Sequence, residues 1–315
     1  MSGPHQADPA AHYRVVHQTR YAYQSIVTLS QQYLHMLPRS FRYQQVLSHA
    51  VQIEPLPAEC SHGTDYFGNS TQNITIAVPH QELLVHAEST VALRPRRNLA
   101  GIAATLPWET VRDDLRRYRS GVSLEPMHFL YTSPHVVCNA ELAAYAQDSF
   151  TPGRPHLDAA LDLTQRIYDD FEFDGEATDI STPLAEVLAG RRGVCQDFAQ
   201  LMIGCLRSLG LPARYVSGYI LTHPPAGQPR LIGADASHAW VSVFCPEFGW
   251  VDFDPTNRCL VQHEHITLGW GRDFSDVTPM RGIVLGGGKH GLLVSVTVTD
   301  LKGTTLIPGD QPFQD

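Results

Sequence analysis

The sequence predicts an α+β protein in which an antiparallel β domain precedes helices packed on a second antiparallel sheet. Three observations carry this. Apolar and polar residues alternate with period two from about 13 to 95. Apolar residues then recur at helical spacing between 157 and 209. Segments rich in β-branched and aromatic residues return after 213.

Residues 1–12 are small and polar and read as a disordered N-terminus. YRVVHQTRYAY, VTLSQQYLHML, VLSHAVQIEPL, TQNITIAV and ELLVHAESTVAL follow as strands, with a turn at DYFGNS, 65–70. They define an N-terminal β domain over 13–100, and RPRRNLAGIAATLP, 94–107, reads as a linker. The remaining 101–315 form the core region, which takes in the last strands.

In that region LDAALDLTQRIYDDF, 157–171, gathers Leu157, Leu161, Leu163, Ile167 and Tyr168 near one face. Thr182-Pro183 opens a short helix, PLAEVLAG. CQDFAQLMIGCLRSLG sets Phe198, Leu201, Met202, Cys205 and Leu209 on one stripe. Gly210 stops this helix and Pro212 prevents its resumption. Strands are expected at 213–221, 238–244, 249–254 and 292–301.

The chain has 315 residues, 43% apolar and 17% charged, which suits a globular protein of two ordinary domains. A net charge of −9 argues against a general nucleic-acid binder, because phosphate neutralisation needs clustered Lys and Arg. No stretch approaches the ~18 apolar residues of a membrane helix. The first residues hold no apolar run of a secretory signal, so the expected location is the cytoplasm. The six cysteines are scattered without a CxxC pair, so they are expected as free thiols, with no bound metal and no cofactor.

Cys195 stands at the start of the amphipathic helix. Free backbone N–H groups and the positive helix end favour a thiolate there and can hold an oxyanion. Cys205, on the apolar face of the same helix, reads as filler. His238 opens one strand and Asp254 ends the next. If Cys245-Pro246-Glu247 form a three-residue hairpin loop, 244 lies opposite 248 and His238 opposite Asp254. Directly opposed residues have Cβ atoms roughly 4.5–5.5 Å apart, within hydrogen-bonding reach. A slip of one residue would send the two side chains to opposite faces. A thiol needs a base, and the base needs a partner on its second nitrogen. Cys195 as nucleophile, His238 as base and Asp254 as orienter meet that requirement. Alone, each has a plain structural reading: helix-start filler, strand histidine, turn residue before Pro255.

GVCQDFAQLMIGCLRSLGLPARYVSGYI, DASHAWVSVFCPEFGWVDFDPTN and GRDFSDVTPMRG together resemble the bacterial transglutaminase-like cysteine protease family. The region HYRVVHQTRYAYQSIVTLS…LPR…TDYFGN…PH is similar to the β region that precedes the core in those proteins. The resemblance runs from about Tyr13 to Leu301. It implies a papain-like transglutaminase core and assigns the same Cys195, His238 and Asp254. Trp240, Trp250, Gln196 and Tyr219 are the expected cleft residues. Cross-linking transglutaminases of animals carry a tryptophan a few dozen residues before the cysteine. The tryptophans here, 108, 240, 250 and 270, leave that window empty. No acidic loop has calcium-ligand spacing.

The expected activity is acyl transfer from a peptide or side-chain amide through a thioester, resolved by water in a protease or amidase. Alternatives are a transglutaminase or ligase with an amine acceptor, an esterase or thioesterase, and a binding protein that keeps the fold. The expected partner is a peptide or protein amide substrate. GGGKH at 286–290 lacks phosphate-loop spacing and reads as a glycine turn. His263-Glu264-His265 reads as a solvated segment rather than a metal site. Arg272 and Asp273 read as structural or substrate-contacting. Asp197, in the first helical turn, suits the helix dipole.

Overall fold

The computed structural model describes residues 10–96, 102–117, 124–222 and 237–302. Most of the expected disordered N-terminus and part of the expected linker lie outside the described residues.

The N-terminal part is antiparallel. Strands β1 (Ala11–Leu34), β2 (Gln44–Glu54), β3 (Glu59–Thr64), β4 (Ser70–Ile76) and β5 (His80–Leu93) lie in the order β2-β5-β1-β4-β3. Two of the expected strands are one: β1 runs 24 residues without a break. Asp65 shapes the turn before β4 by accepting from the N–H groups of Phe67 and Asn69, at 2.9 and 2.8 Å.

The helices come next: α1 (Trp108–Arg116), α2 (Ala140–Gln147), α3 (His156–Asp170), α4 (Leu184–Gly190) and α5 (Cys195–Ser208). A short parallel pair, β6 (Glu172–Phe173) and β7 (Arg192–Gly193), ties the end of α3 to the approach to α5. The expected linker is structured where it is described. Ile102 is buried, and the Thr105 hydroxyl accepts from Leu157 N–H at 3.2 Å.

The second sheet consists of β8 (Ala213–Ile220), β9 (Ser237–Cys245), β10 (Gly249–Asp254), β11 (Cys259–Leu260) and β12 (His265–Gly271), in the order β11-β10-β9-β8-β12. One of its faces packs on the helices. There Phe198, Leu201, Met202 and Cys205 of α5 meet Ala213, Tyr215, Ala239, Val241 and Phe253. Each large apolar side chain closed off in this way contributes roughly 1.5–3 kcal/mol. At the far end of the sheet Tyr219, Leu221, Ile266 and Leu268 pack on Tyr13, Val15, Val91 and Leu93 of the N-terminal sheet.

The last strands correct the expected domain division. β13 (Met280–Gly286) and β14 (His290–Asp300) both hydrogen-bond to β1, from Leu34↔Met280 to Tyr13↔Asp300. They complete the first sheet rather than the core. The GGGKH turn joins them, with positive φ at Gly286, Gly287 and Gly288.

Candidate active site

The start of α5 is built by a glycine and an aspartate. Asp197 Oδ2 accepts from Val194 N–H at 2.8 Å and from the Thr178 hydroxyl at 2.6 Å. The bond to Val194 satisfies one of the helix's unpaired N-terminal donors. A Cβ at Gly193 would lie 2.7 Å from Asp197 Oδ2, so a side chain there would have to displace the carboxylate. This fixes the chain just before Cys195, which is half-buried at the first position of the helix. Cys205, one face further along, is fully buried, and burial pushes its thiol up to about 12.

The β9–β10 hairpin keeps a three-residue loop but sets it one residue further along the chain than the sequence count. Cys245 pairs with Gly249 and Phe244 with Trp250, which leaves Pro246, Glu247 and Phe248 as the loop. The register differs from expectation by two residues. Because side chains alternate with period two, a slip of two keeps both residues on one face. His238 and Asp254 are therefore diagonal rather than directly opposed. Diagonal neighbours stand roughly 7–8 Å apart, within reach of an imidazole. His238 Nε2 lies 2.7 Å from Asp254 Oδ2. Asn257 Nδ2 approaches the same nitrogen at 3.2 Å, and Cys195 is a further side-chain partner of the imidazole.

Asp254 carries two sets of contacts on its two oxygens. Oδ1 accepts from Thr256 and Asn257 N–H at 2.9 and 3.1 Å and holds the turn after β10. Oδ2 faces His238 Nε2, His265 Nε2 at 2.9 Å and Asn257 Nδ2 at 2.6 Å. One oxygen thus makes the turn contacts expected of a residue before Pro255, and the other faces His238. Burial alone would raise its carboxyl, but the bonds from His238 and His265 hold it well below the usual carboxylate range. For His238, burial lowers the imidazole, yet its bonds to Asp254 and Cys195 prevail and raise it to about 10.

His265 is the residue that the sequence reading missed. It is not in a solvated segment: it opens β12 and is 5% exposed. The alternation HITLGWG was its signal, masked by the polar run before it. His238 Nε2, His265 Nε2 and Asp254 Oδ2 converge as two imidazoles and a carboxylate, a donor set that suits a divalent ion. Their 2.7 and 2.9 Å spacings are hydrogen-bond lengths, so a metal there would have to replace the bridging hydrogens.

Two expected cleft residues are placed elsewhere. Tyr219 is 2% exposed, its hydroxyl 2.9 Å from His17 Nδ1 in the interface between the sheets. Trp240 is fully buried beneath His238 and His265, with its indole N–H directed at Asp252. Neither presents a surface to a ligand, because both are buried, on opposite faces of the sheet. Trp250 is half-buried but belongs to the other end of the sheet, where its N–H donates to Glu125 Oε2 at 2.9 Å. Gln196, next to Cys195, is half-buried. Arg272 and Asp273 are structural: Arg272 pairs with Asp276, and buried Asp273 accepts from His135 and Ser275 N–H.

Comparison with known proteins decides the family. Residues 13–92 match the bacterial transglutaminase-like N-terminal region, and residues 143–255 match the transglutaminase-like superfamily. The chain belongs to the transglutaminase-like superfamily. An uncharacterized protein of Mycobacterium tuberculosis is 39% identical, over 97% of this chain and 96% of its own length. A Mycobacterium leprae protein is 31% identical over 91% and 98%. A protein-glutamine gamma-glutamyltransferase of Pseudomonas aeruginosa is 43% identical over 80 residues, 25% of this chain and 12% of that protein. The solved structure of a candidate cysteine protease from Cytophaga hutchinsonii superposes with a TM-score of 0.75 at 19% identity. It covers 94% of this chain and 93% of that one, and so shares the fold. Among the described residues, no helix of this transglutaminase-like protein is long and apolar enough to cross a membrane.

Proposed function

We propose that this protein is a cysteine-dependent acyl-transfer enzyme that cleaves peptide or side-chain amides. The observation that carries this is His238, whose Nε2 lies 2.7 Å from buried Asp254 and whose side-chain partners include Cys195 at the head of a helix. The Cys195 sulfur attacks the amide carbonyl carbon, forming a C–S bond, and the carbonyl oxygen takes the negative charge. The first N–H groups of α5 can donate to that oxygen. The C–N bond then breaks as imidazolium His238 gives its proton to the leaving amine, which leaves a thioester. Water, deprotonated by His238, attacks the thioester carbon and releases the acid and the thiolate. Asp254 keeps the imidazole in register throughout.

An amine in place of water would give transamidation. The similarity of the core to the Pseudomonas gamma-glutamyltransferase supports that second reading. Hydrolysis is the first reading, because the upstream tryptophan of the cross-linking enzymes has no counterpart in this chain.

The test is labelling with iodoacetamide and turnover of a library of peptide amides. Cys195 is expected to alkylate well before Cys205, and Cys195→Ala to abolish turnover while the fold persists. Turnover that survives Cys195→Ala overturns the proposal. Adding a primary amine and weighing the products separates hydrolysis from transamidation.

A further inference from the structure

His265 reaches Asp254 from three strands away. In the order β10-β9-β8-β12 a flat sheet would separate their strands by about 14 Å, at roughly 4.8 Å per spacing. Two side chains close that gap only if the sheet curls toward the face that carries them. Gly218 of β8 lies in the path, opposite His238 on one side and Thr267 on the other. A Cβ there would come within 2.5 Å of the Trp240 ring, so the absence of a side chain opens the route. The His265 ring then stands edge-on to Trp240 at 5.3 Å and 5.8 Å from the His238 ring.

The bond to Asp254 is the polar contact that explains a histidine at this position. His265 Nδ1 is buried with no hydrogen-bond partner among the described residues. Leaving a buried nitrogen unpaired costs about 1–3 kcal/mol. A leucine or phenylalanine would pack against Trp240 without that cost, so packing does not account for the imidazole. The groups that face the ring are Asp254 on β10, His238 on β9 and Arg96 after β5. Glu264 neighbours it in sequence, and Cys259 of β11 pairs with Asp254. Burial holds the His265 imidazole below its ordinary value, which favours the neutral ring with Nε2–H donated.

We propose that His265 is a positioning residue of the Cys195–His238–Asp254 site, fixing the Asp254 carboxylate and sharing its charge so that His238 remains an acid strong enough to protonate the leaving amine. This rests on the reading of that triad as catalytic. An oxygen that receives one hydrogen bond holds less charge for a second donor. Without His265, Asp254 would bind the His238 proton more tightly, and both the release of that proton and the orientation of the ring would suffer.

The test uses the full chain and a peptide amide turned over by the parent protein. His265→Phe is expected to lower kcat about tenfold with KM within twofold, and to move the alkaline limb of the kcat/KM profile upward by about half a pH unit. His265→Gln, whose amide nitrogen can stand where Nε2 stands, is expected to recover kcat to within threefold. Parent-like kcat and profile in His265→Phe overturn the proposal, as does an equal loss in Phe and Gln. Should His265→Phe fail to fold, ring N–H proton spectra of the parent and Asp254→Asn decide. The signals of His238 and His265 should move together, and a His265 signal indifferent to position 254 sinks the idea. Activity that persists in Cys195→Ala would instead remove the triad reading itself, whatever position 265 shows.

Discussion

Gly193 and Asp197 compete for one small volume. The Asp197 carboxylate fills the place that a side chain at 193 would need, and from there it caps the helix that begins with Cys195. Gly193→Ala is therefore expected to push Asp197 off Val194 N–H and Thr178, costing about 1–3 kcal/mol and disturbing Cys195. Gly190→Ala meets nothing within 4 Å and is expected to stay within about 1 kcal/mol of the parent. Denaturant unfolding of the two variants makes the comparison.

Asp254→Asn removes the carboxylate that most strongly favours imidazolium His238. Activity of the parent is expected to persist toward pH 10, the value to which His238 is raised, and to fall beyond it. In Asp254→Asn the alkaline limb should move down by a unit or more and kcat should drop at least about a hundredfold. The sign for stability follows the same shift. The raised His238 contributes stability that is full below its ordinary 6.5 and is lost as pH rises through about 10. A pH–rate profile and unfolding at pH 7 and pH 10 check both.

His17 and His156 work in the opposite direction. Burial lowers both imidazoles from 6.5 to about 4. Between those values the unfolded chain binds protons that the folded one does not, so stability falls as pH drops from 6.5 to 4. His156 Nε2 lies 2.9 Å from the Phe244 carbonyl, a bond that a glutamine amide can also donate. His156→Gln is expected to flatten this acid loss by about 2 kcal/mol between pH 7 and pH 5. Unfolding free energies of parent and variant at pH 7 and pH 5 settle it.

Arg214 lies between two indoles, 4.2 Å from the Trp250 ring and 3.9 Å from that of Trp270, whose ring Arg39 also approaches at 3.7 Å. A planar guanidinium stacks in such a slot and an ammonium does not. Arg214→Lys is expected to cost about 2–4 kcal/mol. Because the stack stands at the end of the sheet away from His238, kcat at a temperature where the variant is folded should stay within threefold. A larger loss in kcat would show that the stack acts on the site.

The sequence displayed what local patterns write. The stripe of Phe198, Leu201, Met202 and Cys205 marks α5, and the alternation in 238–244 and 249–254 marks the hairpin. The pairing of His238 with Asp254 was legible even though the register was not, because period two forgives a slip of two. What escaped is non-local. β13, MRGIVLG, carries no strong alternation and owes its structure to β1, more than 240 positions earlier. α2, AELAAYAQ, is short and alanine-rich, and its stability comes from packing on α5. Trp240 and Tyr219 looked like cleft aromatics because sequence does not reveal which face of a two-sided sheet is covered. His265 meets Asp254 from three strands away, and a contact across that many strands has no signature in a single strand.

β1 lies at the centre of the first sheet, and its partners β13 and β14 are the last strands described. During synthesis, β1 leaves the ribosome long before residues 280–300 exist. Its long edge stays open for tens of seconds at ordinary elongation rates of roughly 5–20 residues per second. Such an edge invites pairing with other chains, so this protein should depend on chaperones that shield nascent β-structure. A truncation at 279 should aggregate even though Cys195, His238 and Asp254 are all present.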